Sequence, residues 1–206
     1  MLCVSRLTSE HSYKGVDALI TAWPRVLASV PDALLVIVGD GDDKPRLQEL
    51  GRRLHMEDNV KFVGAIGDDE LLREYQECGF FALPSRTRLK PSPEGEGFGL
   101  VYLEAGAARR AVVAVRGGAV TEIVRDRKTG LLVDTGHPNE LPSVLIELLS
   151  NPRLAHNLGE SGRALVTKKF TYERFREGVV TLLREVGSGM TSDHKKNSKT
   201  DIAEQR

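Results

Sequence analysis

Residues 80–108 read FFALPSRTRLKPSPEGEGFGLVYLEAGAA, and this segment decides the fold. It begins with an apolar run, FFALPS at 80–85, which predicts a buried strand. Three glycines at 95, 97 and 99 follow, and the chain then enters an apolar segment with helical spacing. A strand, a glycine-rich loop and a helix start bring free backbone N–H groups and the positive end of the helix dipole together. The segment therefore predicts a phosphate site, with the amides of Gly99 and Leu100 as donors.

Two glutamates lie in the same segment, Glu96 in the loop and Glu104 eight residues later. In a helix that begins near Gly99, Glu104 occupies the second turn, where its carboxylate can accept hydrogen bonds from both hydroxyls of a ribose. Glu96 would then meet hydroxyls further along the same ligand. The alternative is a capping acid and a solvated helix residue, both common places for glutamate. The three glycines favour the ligand site, because they are costly unless the backbone must bend or approach something closely.

The rest of the chain alternates apolar runs with helical patterns. Continuous apolar runs, typical of strands buried on both faces of a parallel sheet, lie at 2–4, 34–39, 60–64, 80–85, 111–115 and 131–133. Helical spacing occurs at 15–29, 68–78, 138–150, 152–169 and 171–186. Pro24 is expected to kink or end the first helix. The order predicts an α/β fold, a doubly wound Rossmann-like parallel sheet of about six strands.

A second cluster follows the first strand, where VSRL at 4–7 leads to Lys14 and Gly15. In a doubly wound sheet this loop shares the carboxyl-end rim with the glycine loop, so Arg6 and Lys14 would bring positive charge to a diphosphate. Taken alone, each cation is an ordinary surface residue. His11 lies between them and is either a site residue or, more commonly for histidine, a surface one. A basic loop just before the glycines either attracts an anion or is solvated: Arg86, Arg88 and Lys90.

Composition excludes several classes of function. The 206 residues include 29 Lys plus Arg and 29 Asp plus Glu, and this zero net charge argues against nucleic-acid binding or a polybasic membrane module. No stretch approaches the roughly 18 apolar residues of a membrane span, and no signal peptide opens the chain. Two cysteines, Cys3 and Cys78, are too few for a disulfide framework or a thiolate zinc site. A cytoplasmic setting is expected, with both thiols reduced and no metal site.

The C-terminal end changes character. Residues 187–206 contain three apolar and seven charged residues. Such a segment buries too little surface to offset the entropy of ordering it, so it is expected to be a disordered polar tail. Residues 1–186 are then expected to form one domain.

In motif order, the sequence resembles the C-terminal nucleotide-sugar-binding half of the glycosyl transferases group 1, the retaining glycosyltransferase family 4. The resemblance covers residues 2–186, and the Glu96 and Glu104 pair, E-x7-E, is its most specific element. The other matching motifs are VSRL…KG, LLVIVGDGDDKPRLQEL, VKFVGAIGDDELLREYQEC, FALPS and GGAVTEIVRDRKTGLLVD. The resemblance implies half of a two-domain GT-B fold that holds a UDP-, GDP- or ADP-sugar and needs no metal or other cofactor.

The resemblance also implies roles for individual residues. Arg6 and Lys14 would bind the diphosphate and stabilise it as a leaving group. Glu96 would contact and position the donor sugar, and Glu104 would bind the ribose. Supporting contacts are implied for two backbone segments: the amides of Phe98, Gly99 and Leu100 at the diphosphate, and Val63 and Gly64 at the nucleobase.

The chain departs from the family pattern in the spacing of Arg6 and Lys14, which is longer than the commonest one although a subset of the family shares it, and in two further respects. Ala108-Arg109-Arg110-Ala111 stands where the family usually has Gly and Pro before a strand. The 206 residues include no acceptor-binding half, so this chain alone is expected to be inactive, and any peripheral membrane contact is expected to come through that missing half. The resemblance implies transfer of a hexosyl group; the alternative is a non-catalytic nucleotide-binding or interaction domain with the same fold. A nucleotide-sugar epimerase fits the E-x7-E helix less well.

Overall fold

Six parallel strands form one sheet. The computed structural model describes residues 1–87, 95–134 and 136–200, and the side chains as far as Val186. The strands are β1 (Leu2–Val4), β2 (Leu35–Val38), β3 (Val60–Gly64), β4 (Phe80–Leu83), β5 (Ala111–Val115) and β6 (Gly130–Val133). Their spatial order is β3-β2-β1-β4-β5-β6, and every neighbouring pair is parallel. The predicted doubly wound α/β sheet is confirmed.

The strand order creates a crevice at the middle of the sheet. From β1 the chain winds outward through β2 and β3, then returns to place β4 on the other side of β1. From β4 it winds in the opposite direction through β5 and β6. The segments that follow β1 and β4 therefore leave the sheet in opposite directions, and the space between them is where open α/β sheets bind ligands.

Helices connect the strands. A 3-10 helix (Ser9–Lys14) precedes α1 (Val16–Ser29). The further helices are α2 (Lys44–Arg53), α3 (Asp68–Glu77), α4 (Leu100–Ala107), α5 (Val120–Ile123), α6 (Glu140–Ser150), α7 (Pro152–Lys169) and α8 (Tyr172–Thr200). The sequence spacing did not single out α2 and the short α5.

The core lies between the sheet and the helices that cover it. Every residue of β4 and of β6 is buried, as the continuous apolar runs predict. The largest fully buried side chains include Trp23 of α1, Tyr102 of α4 and the neighbouring Phe80 and Phe81 of β4. The rings of Phe81 and Tyr102 meet edge to face, with their centroids 5.9 Å apart, so α4 is anchored to the strand that precedes it.

Pro24 does not end the first helix, as the sequence suggested it could. It lies inside α1, which continues to Ser29. A proline in a helix interior costs about 3 kcal/mol, because one backbone hydrogen bond is lost. Trp23 and Val26 on either side of it are fully buried, and burial of such side chains contributes about 1.5–3 kcal/mol each. Packing against the sheet therefore offsets the cost of the proline.

The turn after α4, where the sequence departs from the family pattern, is closed by an arginine. Arg109 has a φ of 62°, in the left-handed region that favours glycine, and its amide donates to the Gly106 carbonyl. Arg109 also forms an ion pair with Glu160 of α7. The turn therefore keeps its backbone path without a glycine.

The chain divides into two compact units, Met1–Thr167 and Lys168–Arg206, and the division falls within α7. The domain boundary at residue 186 stays a prediction. In the second unit, α8 runs to Thr200 and includes residues 187–200, which the composition predicts to be disordered. Each residue added to an existing helix gains a hydrogen bond, so a polar segment can extend a helix that starts upstream. Residues 201–206 lie outside the described residues.

Up to Val186, α8 exposes several large apolar side chains: Tyr172, Phe175, Leu182, Leu183 and Val186.

Within the described residues, every helix is too short or too polar to cross a bilayer.

Two helical glycines give opposite predictions for the same substitution. A Cβ on Gly159 of α7 would overlap the backbone carbonyl of Arg109, whereas a Cβ on Gly51 of α2 would meet nothing within 4 Å. We expect Gly159→Ala to lower the free energy of unfolding by about 2 kcal/mol, since a packed backbone must shift. We expect Gly51→Ala to raise it by up to about 1 kcal/mol through helix propensity.

Urea denaturation of the two variants and the wild type measures both effects. Equal stabilities for Gly159→Ala and the wild type would contradict the close approach of α7 to the turn after α4.

Candidate functional site

The loops after β1 and β4 touch each other at the crevice. Gly15 has a φ of 76°, and a Cβ at this position would overlap the carbonyl oxygen of Pro84. Two residues before Gly15 and two after Pro84, the Arg86 amide donates to the Tyr13 carbonyl at 2.7 Å. Only glycine fits the conformation and the space at position 15. The Lys14-Gly15 motif is thus explained: its glycine lets the first loop lie directly against the end of β4.

An ion pair joins these loops. Lys14 Nζ lies 2.7 Å from Glu96 Oε2, and the two side chains are 18% and 11% exposed. The hydroxyl of Ser85, which follows β4, donates to the same Glu96 oxygen at 3.1 Å. Lys14 Nζ also lies 5.3 Å from the centroid of the Tyr13 ring. Three separate segments thus hold one carboxylate and one ammonium group at the centre of the crevice.

The amino terminus of α4 opens on the same place. Gly99 has a φ of 83° and precedes the helix, and a Cβ there would overlap the Tyr102 ring. The first N–H groups of a helix have no partner within it, and they carry its positive dipole end. A cleft of about 450 Å³ lies at this helix end, and the residues predicted from sequence that line it are Arg6, Lys14, Glu96, Phe98, Gly99 and Leu100.

Glu104 occupies a neighbouring cleft. It lies in the second turn of α4, as predicted, but lines a cleft of about 520 Å³ between α3 and α4. The sequence led us to expect one cleft for both glutamates, whereas in the structure Glu96 and Glu104 line two different clefts. Leu100 lines the first cleft, and Glu104 lies four residues later, so the two side chains are one turn apart on the same face of α4. An elongated ligand, held at the helix end, can reach Glu104.

Tyr75 holds the Glu104 carboxylate. Its hydroxyl donates to Glu104 Oε2 at 2.9 Å. Burial, and next the negative charge of Glu104, raise the pKa of this phenol, so the hydroxyl stays protonated. Tyr75 and Ser85 were not among the site residues predicted from the sequence. Ser85 had a signal, as the first hydroxyl after the β4 run, but Tyr75 is one apolar position among several on α3.

Of the remaining predicted residues, His11 lies in the first cleft, and Val63 and Gly64 lie at the end of a strand further along the sheet. His11 lines the first cleft, with its Nδ1 hydrogen-bonded to Thr8 Oγ1 at 2.6 Å. Val63 and Gly64 end β3, which β2 and β1 separate from β4, and the Gly64 carbonyl accepts from the Gly39 amide. Their contact with a nucleobase stays a prediction.

The basic loop before the glycines is described only at its start. Arg86 forms an ion pair with Asp17 of α1 at 2.8 Å and donates to the Ser12 carbonyl at 3.1 Å. Its guanidinium thus helps to tie the loop after β4 to α1. Arg88 and Lys90 lie outside the described residues.

Comparison with known proteins places these features in a family. Residues 1–165 match the family Glycosyl transferases group 1. A GDP-mannose-dependent alpha-(1-6)-phosphatidylinositol monomannoside mannosyltransferase of Mycobacterium tuberculosis is 35% identical over 184 residues. That match covers 89% of this chain and 47% of the relative, so the chain spans about half the length of the curated relatives it matches.

Solved structures show the same fold. The C-terminal domain of the glycosyl transferase group 1 protein LpcC from Francisella tularensis superposes with a TM-score of 0.70 at 26% identity, covering 83% of this chain and 86% of that domain. Anabaena HepE, solved in complex with UDP, gives a TM-score of 0.69 at 24% identity, over 93% of this chain and 48% of HepE. Together with the strand order and the E-x7-E helix, the family match leads to one conclusion: this chain belongs to the glycosyl transferases group 1 and has the fold of their GT-B C-terminal domains.

Proposed function

We propose that this chain is the donor-binding half of a retaining glycosyltransferase, which transfers a hexosyl group from a nucleotide-diphosphate sugar to an acceptor. One observation carries the proposal: Lys14 and Glu96 meet at 2.7 Å beside the amino terminus of α4, in the crevice between β1 and β4. Cationic and anionic groups at one helix end suit a ligand that is part diphosphate and part polyhydroxyl.

The diphosphate would bind at the helix end. Lys14, the exposed Arg6 and the first amides of α4 supply positive charge and N–H donors around one cleft. In the structure Glu96 forms an ion pair with Lys14. A diphosphate would take over this cation. Ser85 would continue to donate to Glu96 Oε2, and the remaining acceptor positions of the carboxylate would be available to hydroxyls of the donor sugar.

The nucleoside would extend along α4 toward Glu104, whose carboxylate accepts from the ribose hydroxyls. The name of the mycobacterial relative supports a nucleotide-sugar donor, since that protein is GDP-mannose-dependent. The preference for UDP, GDP or ADP would depend on the segment near Val63 and Gly64, which is proposed to contact the base.

In the proposed reaction, the bond between the anomeric carbon and the diphosphate oxygen breaks as an acceptor oxygen bonds to that carbon from the same face. The acceptor proton passes to the departing diphosphate, so charge and atoms balance. Lys14, Arg6 and the α4 amides stabilise the negative charge that grows on the leaving group, which is where a fixed electrostatic site lowers the barrier most. This account needs no metal ion. The acceptor would bind to a second half of the protein. Its size would correspond to the part of the relatives that this chain does not cover.

Calorimetric titration with UDP, GDP and ADP tests the donor site. We expect one nucleotide to bind with measurable heat, and Lys14→Ala and Arg6→Ala to weaken binding about tenfold or more, since each removes a charged hydrogen-bond donor. Arg52→Ala is the matched control, because it removes one cation from the exposed end of α2. Unchanged affinity in both cleft variants, or no heat with any nucleotide, would refute the proposed site.

The role of Glu96 predicts a separation of binding from chemistry. In a protein that joins an acceptor-binding half to this chain, we expect Glu96→Gln to lower kcat at least a hundredfold and to change nucleotide affinity less than threefold. Steady-state kinetics measures the first quantity and calorimetry the second. The product should keep the anomeric configuration of the donor, which NMR of the glycoside determines. An inverted product would contradict the retaining reaction.

A further inference from the structure

The contact between Tyr75 and Glu104 joins a buried residue to an exposed one. Tyr75 is 3% exposed, whereas Glu104 lies at the surface of the cleft between α3 and α4. The Tyr75 hydroxyl donates to Glu104 Oε2 at 2.9 Å, and the Val101 carbonyl lies further from it, at 3.4 Å. The single phenolic proton is therefore directed mainly at the carboxylate.

The packing of the Tyr75 ring fixes the position of its hydroxyl. Its ring packs on Phe81 of β4, with centroids 5.8 Å apart, and the Phe81 ring packs in turn on Tyr102 of α4. These three rings span α3, the sheet and α4, so the hydroxyl is part of the rigid core. Its raised pKa keeps it a donor at every physiological pH.

Glu104 needs such a support to recognise a ribose. An exposed glutamate samples many rotamers, and ordering it for a ligand costs entropy at the moment of binding. A hydrogen bond from a fixed donor selects one orientation in advance. A carboxylate has about four acceptor positions, so one bond from Tyr75 leaves room for two vicinal hydroxyls.

We propose that Tyr75 is a positioning residue for Glu104, and that this hydrogen bond sets the preference of the site for ribonucleotides over 2′-deoxyribonucleotides. The inference rests on the proposed function, in which Glu104 binds the ribose. It adds a residue whose proposed effect on the ribose passes through the Glu104 carboxylate.

The test compares the tightest-binding of UDP, GDP and ADP with its 2′-deoxy counterpart in four proteins. The wild type should prefer the ribonucleotide at least tenfold. Tyr75→Phe keeps the ring and removes the hydroxyl, so it should weaken ribonucleotide binding about 5- to 20-fold and deoxynucleotide binding less than threefold. Glu104→Gln should lose the preference as well.

Tyr102→Phe is the matched control. It also removes a buried tyrosine hydroxyl from the same ring cluster, one that donates to the Leu83 carbonyl at 2.8 Å. It is expected to lower stability and leave the ratio of the two affinities at the wild-type value. A merely structural role of Tyr75 would make the two phenylalanine variants alike.

Each outcome separates the two claims. If the wild type and Tyr75→Phe both discriminate and Glu104→Gln does not, the positioning role is overturned and the proposed function stands. If the wild type does not discriminate, the ribose role of Glu104 fails, and the inference with it. If Tyr75→Phe does not fold, a crystal structure of the wild type with the nucleotide decides: Tyr75 should stay within hydrogen-bond distance of Glu104, and a Glu104 turned away from it onto the ribose would overturn the proposal.

Discussion

The close approach of two loops at the centre of the sheet is the constraint on which the site depends. Because β1 and β4 are neighbours whose connections diverge, the segments after them must face each other across a narrow crevice. Gly15 allows the first segment to lie against Pro84, and this contact brings Lys14 to Glu96. A side chain at position 15 would separate the loops and so the two charges. Charge placement thus follows from backbone packing.

The site uses the core as its support. Tyr102 packs against Gly99 and Phe81, which fixes the start of α4. Tyr75 also packs on Phe81, and its hydroxyl donates to Glu104. Gly99 and Glu104 are therefore held in place by tyrosine side chains whose movement is restricted by close packing on the sheet. Such preorganisation supports the proposed function, because a site that stabilises charge on a leaving group loses free energy if its groups must reorient at that moment.

Much of the fold could be predicted from the sequence, because strands buried on both faces leave continuous apolar runs such as FFAL at 80–83. The glycine loop and the placement of Arg6, Lys14 and Glu96 at one rim followed from topology, and the structure brings these three to one cleft. The sequence could not show that Glu104 faces a second cleft, since that depends on how α3 packs beside α4. Helix-end signals also failed at Pro24, where tertiary burial outweighs local propensity.

The central claim is that a diphosphate binds at the start of α4, between the ends of β1 and β4. Amide resonances of the chain followed by NMR during titration with a nucleoside diphosphate test it most directly. The account predicts that the largest shifts occur at Gly99, Leu100 and Val101, with Lys14 and Gly15 next, and that they saturate together. Largest shifts at the opposite, amino-terminal edge of the sheet, with these five amides unmoved, would contradict it.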